Sequence, residues 1–250
     1  WIKVWPAAVI LAVLAVSKQR LTLLVTGAAF SAVVAAVVTA AGGLRHLLSF
    51  MGAQGDRGMQ LEAPFTTPGL WQAILGRSDA HIYEDTVINT REVRGALGEP
   101  VAALMTPLLA LAAVAVVLLL VWALRRGADT GALLAAGSLA LVSAFIVFNK
   151  VGSPQFMLWL GAVVAVGVAW EGRAWRLPAA MMVAVAALTT LVYPMFYEAL
   201  YNDLNIAVAV LLTLRNLLLM ALLAWSLGKI TALARAGKVS ESEVRPEPAP

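Results

Sequence analysis

Seven long apolar runs leave this chain little choice of fold: Val4–Ser17, Leu21–Ala41, Val101–Leu124, Leu133–Phe148, Phe156–Trp170, Leu177–Phe196 and Ile206–Leu227. A hydrocarbon core about 30 Å thick takes about 20 apolar residues to cross as helix, and each run is near that length, though the first is short. Lipid offers no partner to a bare N–H or C=O, so such runs must close their own hydrogen bonds as helices. Composition agrees. The chain is 61% hydrophobic and 13% charged, whereas soluble domains sit near half apolar and a quarter charged. The expected fold class is all-α: a polytopic transmembrane helix bundle of about seven spans, occupying 1–229, with one long outer loop at 42–100 that carries a short interfacial helix.

Charge orients the bundle. Lys18 and Arg20, Arg125 and Arg126, Arg173 and Arg176, then Lys229, Arg235 and Lys238 fall in alternate gaps. The positive-inside rule places those gaps and the C-terminus in the cytoplasm, and the 42–100 loop and the Lys150 gap outside. The net charge of +4 reports this topology rather than nucleic-acid binding, since no basic cluster is interleaved with aromatics. With no cysteine and two histidines, neither disulfides nor a metal cluster is expected. No Walker loop, dinucleotide fingerprint or metalloprotease helix is present, and no cofactor is expected.

The chain starts at Trp1 on a short span, and Lys18 and Arg20 follow where a signal peptide would show a small-residue cleavage pattern. The expectation is a C-terminal portion of a longer protein, with a processed mature chain as the alternative. In the outer loop, Thr67-Pro68 reads as an N-cap with proline at the first helical position, and Gly76 as a stop. Leu70, Trp71, Ile74 and Leu75 would lay that helix flat on the membrane surface, with Trp71 at headgroup depth. Ile82–Val93 reads as a small hairpin turning near Glu84-Asp85. From residue 230 to 250 the chain is expected to form a disordered cytoplasmic tail, Ser240–Pro250 being rich in Glu, Pro and Ser.

Polar residues inside this apolar frame are the candidate site. Arg215 is the one charge within a span, about ten residues into the last helix. An arginine there costs at least ~2.5 kcal/mol on insertion scales, which makes function the default reading. Its planar fork suits a phosphate near the outer leaflet; the competing reading is a structural arginine paired with a carbonyl or carboxylate. Lys150, with Ser153 and Gln155 beside it, could neutralise an anion at the outer mouth, helped by the helix that Pro154 starts; alternatively Lys150 snorkels. Arg57, Gln60 and Glu62 could share one side of a turn, with Arg57 on a phosphate and Glu62 on sugar hydroxyls, or could belong to a solvated loop. Thr213 and Asn216 could add hydrogen bonds next to Arg215. His46 and His81 read as surface histidines. Glu198, Asn202 and Asp203, near Tyr193 and Tyr197, read as a solvated turn.

Four stretches together resemble a known family. Arg57-Gly58-Met59-Gln60-Leu61-Glu62-Ala63 followed by Thr67-Pro68 is similar to an "RG-x-Q-x-E-[SA] … TP" signature. Asn149 to Phe156 resembles "K-x-x-SPQ-[YF]", continuing into "F-x-x-W-L" through Leu160. Lys3-Val4-Trp5-Pro6 is similar to "K-x-W-P", and Thr213-Leu214-Arg215-Asn216 to "T-x-RN". These belong to actinobacterial integral-membrane glycosyltransferases of the GT-C class, family 87, the polyprenyl-phosphate-mannose-dependent α-mannosyltransferases. The resemblance covers nearly all of the chain but its tail.

It implies a bacterial plasma-membrane enzyme that moves a sugar, mannose first, from a polyprenyl-phosphate donor to a glycan or glycolipid acceptor outside the membrane. It places donor phosphate at Arg57, Lys150, Ser153, Gln155 and Arg215, and sugar or acceptor at Gln60, Glu62 and Asn216. The family's catalytic aspartate belongs to an outer loop that these 250 residues do not match, so no catalytic residue is assigned and this portion alone is expected to be inactive. Ala63 stands where many relatives have serine. A transporter or flippase and a non-catalytic membrane scaffold are the rival readings.

Overall fold

A computed structural model describes residues 6–46, 58–77, 79–86, 89–95 and 98–244. The chain parts into two compact units, Ser17–Arg57 and a larger one made of Trp1–Val16 with Gly58–Pro250.

Among the described residues the smaller unit holds one long helix, α2 (Arg20–Ala40), which has no buried residue within the chain, and a 3-10 turn at Leu44–His46. Leu21, Leu24, Phe30 and Val33 are all exposed, and a helix that is apolar all round is stable only when something apolar surrounds it. It ends where the amides of Ala41, Gly42 and Gly43 turn back onto Val37, Thr39 and Val38. Gly42 takes the left-handed φ of +80° that this stop requires.

In the larger unit the helices are α1 (Pro6–Val16), α3 (Thr67–Ile74), α4 (Gly98–Arg125), α5 (Thr130–Val147), α6 (Met157–Glu171), α7 (Arg176–Thr190), α8 (Tyr197–Asp203) and α9 (Ile206–Val244). α5 is buried along most of its length and forms the axis against which α1, α4, α6 and α9 pack. Its sequence explains this: Ala, Gly and Ser let neighbouring backbones come close, the usual way membrane helices associate. At Gly137, for example, the Leu120 side chain of α4 takes the space a β-carbon would need. α5 starts at Thr130, earlier than its apolar run, because Asp129 Oδ1 accepts from the Ala132 amide at 2.8 Å.

α6 and α7 pack against each other across a tight turn, Gly172–Trp175, opened by Gly172 at φ +55°. The last turn of the expected Leu177–Phe196 span is distorted: Tyr193 is extended and the Tyr193–Pro194 peptide is cis. After α8, Leu204 at φ +49° ends the turn, and Asn205 Oδ1 caps α9 on the amides of Ala207 and Val208. α9 runs well past Leu227. Ile230 and Ala234 are buried, and Gly237 abuts the Arg126–Ala128 turn, so packing carries the helix into the stretch from 230 that composition marks as tail; residues 245–250 lie outside the described residues.

Among the described residues, five helical stretches are long and apolar enough to cross a membrane: Arg20–Ala40, Gly98–Arg125, Thr130–Val147, Pro154–Met195 and Ile206–Gly237, with Pro6–Val16 a shorter apolar helix. The chain is a mostly helical, multi-pass membrane protein.

Between α3 and α4 lies an antiparallel hairpin, β1 (His81–Asp85) with β2 (Thr90–Arg94), Ile82 facing Val93 and Tyr83 facing Glu92. It turns after Asp85, past the expected Glu84-Asp85, with Asn89 at φ +50°. α3 carries Pro68 in its first turn as expected. Part of its apolar face is covered by protein: Leu70 is buried in a cluster with Leu61, Val93, Val208 and Leu212, and Trp71 Nε1 donates to Thr213 Oγ1 at 2.9 Å, while Leu75 is exposed. The Trp71 indole N–H is thus held by α9.

Candidate functional site

Three segments far apart in sequence meet at the end of the bundle where α9 begins. They are the strand-like 58–63 run beside β2, the 149–153 turn between α5 and α6, and the second and third turns of α9. The 58–63 run is joined to β2 by a single antiparallel bridge at Gln60 and Glu92: Leu61 N donates to Arg91 O and Val93 N to Met59 O, at 2.9 and 3.0 Å. The 149–153 turn is shaped locally by Asn149 Oδ1, which accepts from Val151 N at 3.0 Å, an Asx turn that mimics a backbone turn.

Gln60 joins the first two segments at both of its faces. Its amide N donates to Lys150 O at 2.9 Å, and its Oε1 accepts from Gly152 N at 3.0 Å. Gly152 has to be glycine, because a β-carbon there would run into the Glu62–Ala63 peptide.

Arg215 closes the junction from α9. Nη1 donates to Glu62 O at 2.6 Å and to Asn216 Oδ1 at 2.7 Å, and Nη2 donates to Gly152 O at 2.9 Å. Asn216 Nδ2 in turn donates to Thr67 Oγ1 at 2.9 Å. Thr67 therefore serves as an acceptor for α9 and does not cap α3, while Thr66 Oγ1 donates to Gln60 O at 2.8 Å. Arg215 and Asn216 are each 2% exposed and Glu62 is 3% exposed. The Arg215 side chain leans toward the start of its helix, as helix geometry dictates, and the loops dip in to meet it. Its terminal nitrogens are committed to carbonyls, the structural arrangement set beside phosphate binding above.

The electrostatics are those of a closed polar knot. Burial pushes the Glu62 carboxyl up from its ordinary value, opposed by a hydrogen bond with Tyr197 and by the charges of Arg215 and Arg91. Tyr197 is itself pushed up by burial and then by Glu62. Glu62 Oε2 and Arg215 Nε are both buried without a partner, so the two groups feel each other through the field, without a direct ion pair. Next to them Glu92 is buried and accepts from the Tyr83 hydroxyl at 2.5 Å. Burial, then this carboxylate, raises the Tyr83 phenol to about 12. Gly58 leaves the room that the Glu92 carboxylate occupies. Arg91 pairs with Glu84 and lies over the Tyr201 ring at 4.5 Å.

The structure thus brings Gln60, Glu62, Arg215 and Asn216 together with the backbone of Lys150. The Gln60 and Asn216 side chains are spent on Gly152 and Thr67, and Glu62 retains one unpartnered oxygen. Lys150 and Ser153 are half-buried and Gln155 is exposed, on the same turn and its continuation. Arg57 lies outside the described residues, two positions before Met59. His81 is exposed at the start of β1; Glu198, Asn202 and Asp203 are exposed on α8. Tyr197, Gly152 and Glu92 had no sequence signal of their own: each matters through a partner at least nine residues away.

No protein-family model matches this chain, and no curated protein or solved structure was found to be similar to it.

Proposed function

We propose that this chain is the C-terminal membrane bundle of a glycosyltransferase that moves a hexose, mannose first, from a polyprenyl-phosphate donor to a glycan or glycolipid acceptor outside a bacterial plasma membrane, the C-terminus being cytoplasmic. One observation carries the reading. Three of the four stretches that resemble the family, those around Gln60–Thr67, Gly152 and Arg215-Asn216, are bonded directly to one another through Gln60, Gly152, Arg215 and Asn216. Unrelated connectors have no reason to share one hydrogen-bond network.

In this reading the division of labour is as follows. Lys150, Ser153 and Gln155, with Arg57, take the donor phosphate. Positive charge aimed at the departing phosphate stabilises the transition state of transfer more than the bound donor. Arg215 acts through them as a positioning residue: it fixes the turn that carries Lys150 against the run that carries Glu62. Glu62 faces the sugar or acceptor. No base is assigned within the chain.

The test is transfer from radiolabelled polyprenyl-phosphate-mannose in membranes expressing the whole gene. Lys150→Ala lowers transfer by about a hundredfold, the usual loss of one transition-state contact, with insertion unchanged. Wild-type transfer by Lys150→Ala removes the phosphate site; no transfer from any polyprenyl-linked hexose removes the glycosyltransferase reading.

A further inference from the structure

The end of the larger unit away from the knot is basic and rich in tryptophan, and nothing in the proposed reaction uses it. Two turns and the later part of α9 meet there. The Lys229 ammonium of α9 pairs with Glu171 at the end of α6, at 2.8 Å. Gly237 of α9 lies against the Arg126–Ala128 turn between α4 and α5. Gly131, at the start of α5, lies against the Trp170 indole at the end of α6. Trp175 and Trp225 fill the middle with ring centroids 5.3 Å apart.

These contacts gather Arg125, Arg126, Arg173, Arg176 and Arg235 at one end. The carboxylates whose side chains are described at this end are already used: Glu171 holds Lys229 and the Trp175 indole, and Asp129 caps α5. Among the described residues no ion pair engages any of the five arginines. Arg125, Arg173, Arg176 and Arg235 are exposed, and Arg126 stacks over Trp122 at 4.9 Å. Trp170 is 69% exposed, and among the described residues its indole N–H has no hydrogen-bond partner. An amphipathic ring next to unneutralised guanidinium groups at the end of apolar helices is suited to the headgroup layer.

We propose that this collar binds the headgroups of anionic phospholipids. The phosphodiester accepts the planar donors of Arg125, Arg126, Arg173 and Arg176, and the Trp170 indole N–H donates to the same layer. Basic pockets between membrane helices have the charge and geometry to retain such lipids. The inference stands apart from sugar transfer, because it uses none of the knot residues.

The experiment is native mass spectrometry of the full-length gene product released from nanodiscs of phosphatidylcholine with phosphatidylglycerol. The wild type retains phosphatidylglycerol in preference to phosphatidylcholine. Replacing Arg125, Arg126, Arg173 and Arg176 together by Gln lowers that retention about tenfold or more, since each basic group near a membrane surface is worth several-fold in binding. The milder pair Arg173→Gln/Arg176→Gln, and Trp170→Phe alone, give smaller losses should the quadruple variant fail to fold. Arg77→Gln/Arg94→Gln, away from the collar, changes nothing. Equal retention of both lipids by the wild type, undiminished retention by the substituted chains, or displacement by millimolar inorganic phosphate overturns the proposal.

Discussion

A guanidinium that is 2% exposed is tolerable in a protein only when its donors are filled, and Arg215 fills its terminal nitrogens with the carbonyls of Glu62 and Gly152. Arg215→Met leaves both carbonyls buried and unpaired, at ~1–3 kcal/mol each. Arg215→Lys loses less, because an ammonium meets one carbonyl where the fork meets two; thermal unfolding in detergent ranks the two variants against wild type. Gly152→Ala, which leaves Arg215 untouched, costs about 1–3 kcal/mol by overpacking against the Glu62–Ala63 peptide. Glu62 adds a pH signature. Its folded pKa is raised above 4.5 by burial, so the folded chain holds a proton that the unfolded chain releases. Its contribution is fully present below about pH 4.5 and is lost as pH rises through the folded value. Glu62→Gln therefore flattens the fall of melting temperature with rising pH; an unchanged slope contradicts the assignment. Sequence reasoning could single out Arg215 as expensive, but its partners are backbone groups 63 and 153 positions away, and no local pattern encodes them.

At the scale of elements, period and punctuation were readable. The apolar runs are helices, Thr67-Pro68 opens α3, and Ile82–Val93 is a hairpin. What stayed hidden was what each face packs against. The apolar side of α3 reads as a membrane-surface stripe, yet part of it meets α9, where Trp71 bonds Thr213 and Leu70 shares a buried cluster with Leu212. Thr213→Val strands the Trp71 indole and costs about 1 kcal/mol, read as a lower melting temperature. Likewise α9 outruns its apolar stretch because Ile230 and Ala234 have partners that composition cannot show. The α6–α7 hairpin rests on Gly167, whose absent side chain is replaced by the Trp175 ring. Gly167→Leu has to displace that ring, and separates the pair at ~1–3 kcal/mol.

The larger unit is polarised. Its hydrogen-bonded knot gathers at the start of α9, while arginines without an ion pair among the described residues gather toward the other end of the same helix. That polarity was legible as alternating charged gaps, whereas the partition of Ser17–Arg57 into its own unit was not, since an all-round apolar helix looks the same alone or in a bundle. The chain has no cysteine, so single introduced cysteines report sidedness cleanly. A membrane-impermeant maleimide applied outside labels Asn202→Cys and spares Arg173→Cys; the reverse pattern inverts the topology.

The same cysteine-free background allows the most direct test of the account, that Arg215 clamps the segment between α2 and α4 onto the start of α6. Leu75 and Leu158 are both exposed and lie on the two sides of the junction, so spin labels at Leu75→Cys and Leu158→Cys read its rigidity by pulsed electron–electron double resonance. One narrow distance distribution is expected in the otherwise wild-type chain, broadening alike with Arg215→Lys or Gly152→Ala and unchanged with Lys150→Ala. A distribution that stays narrow when the clamp is cut would contradict it.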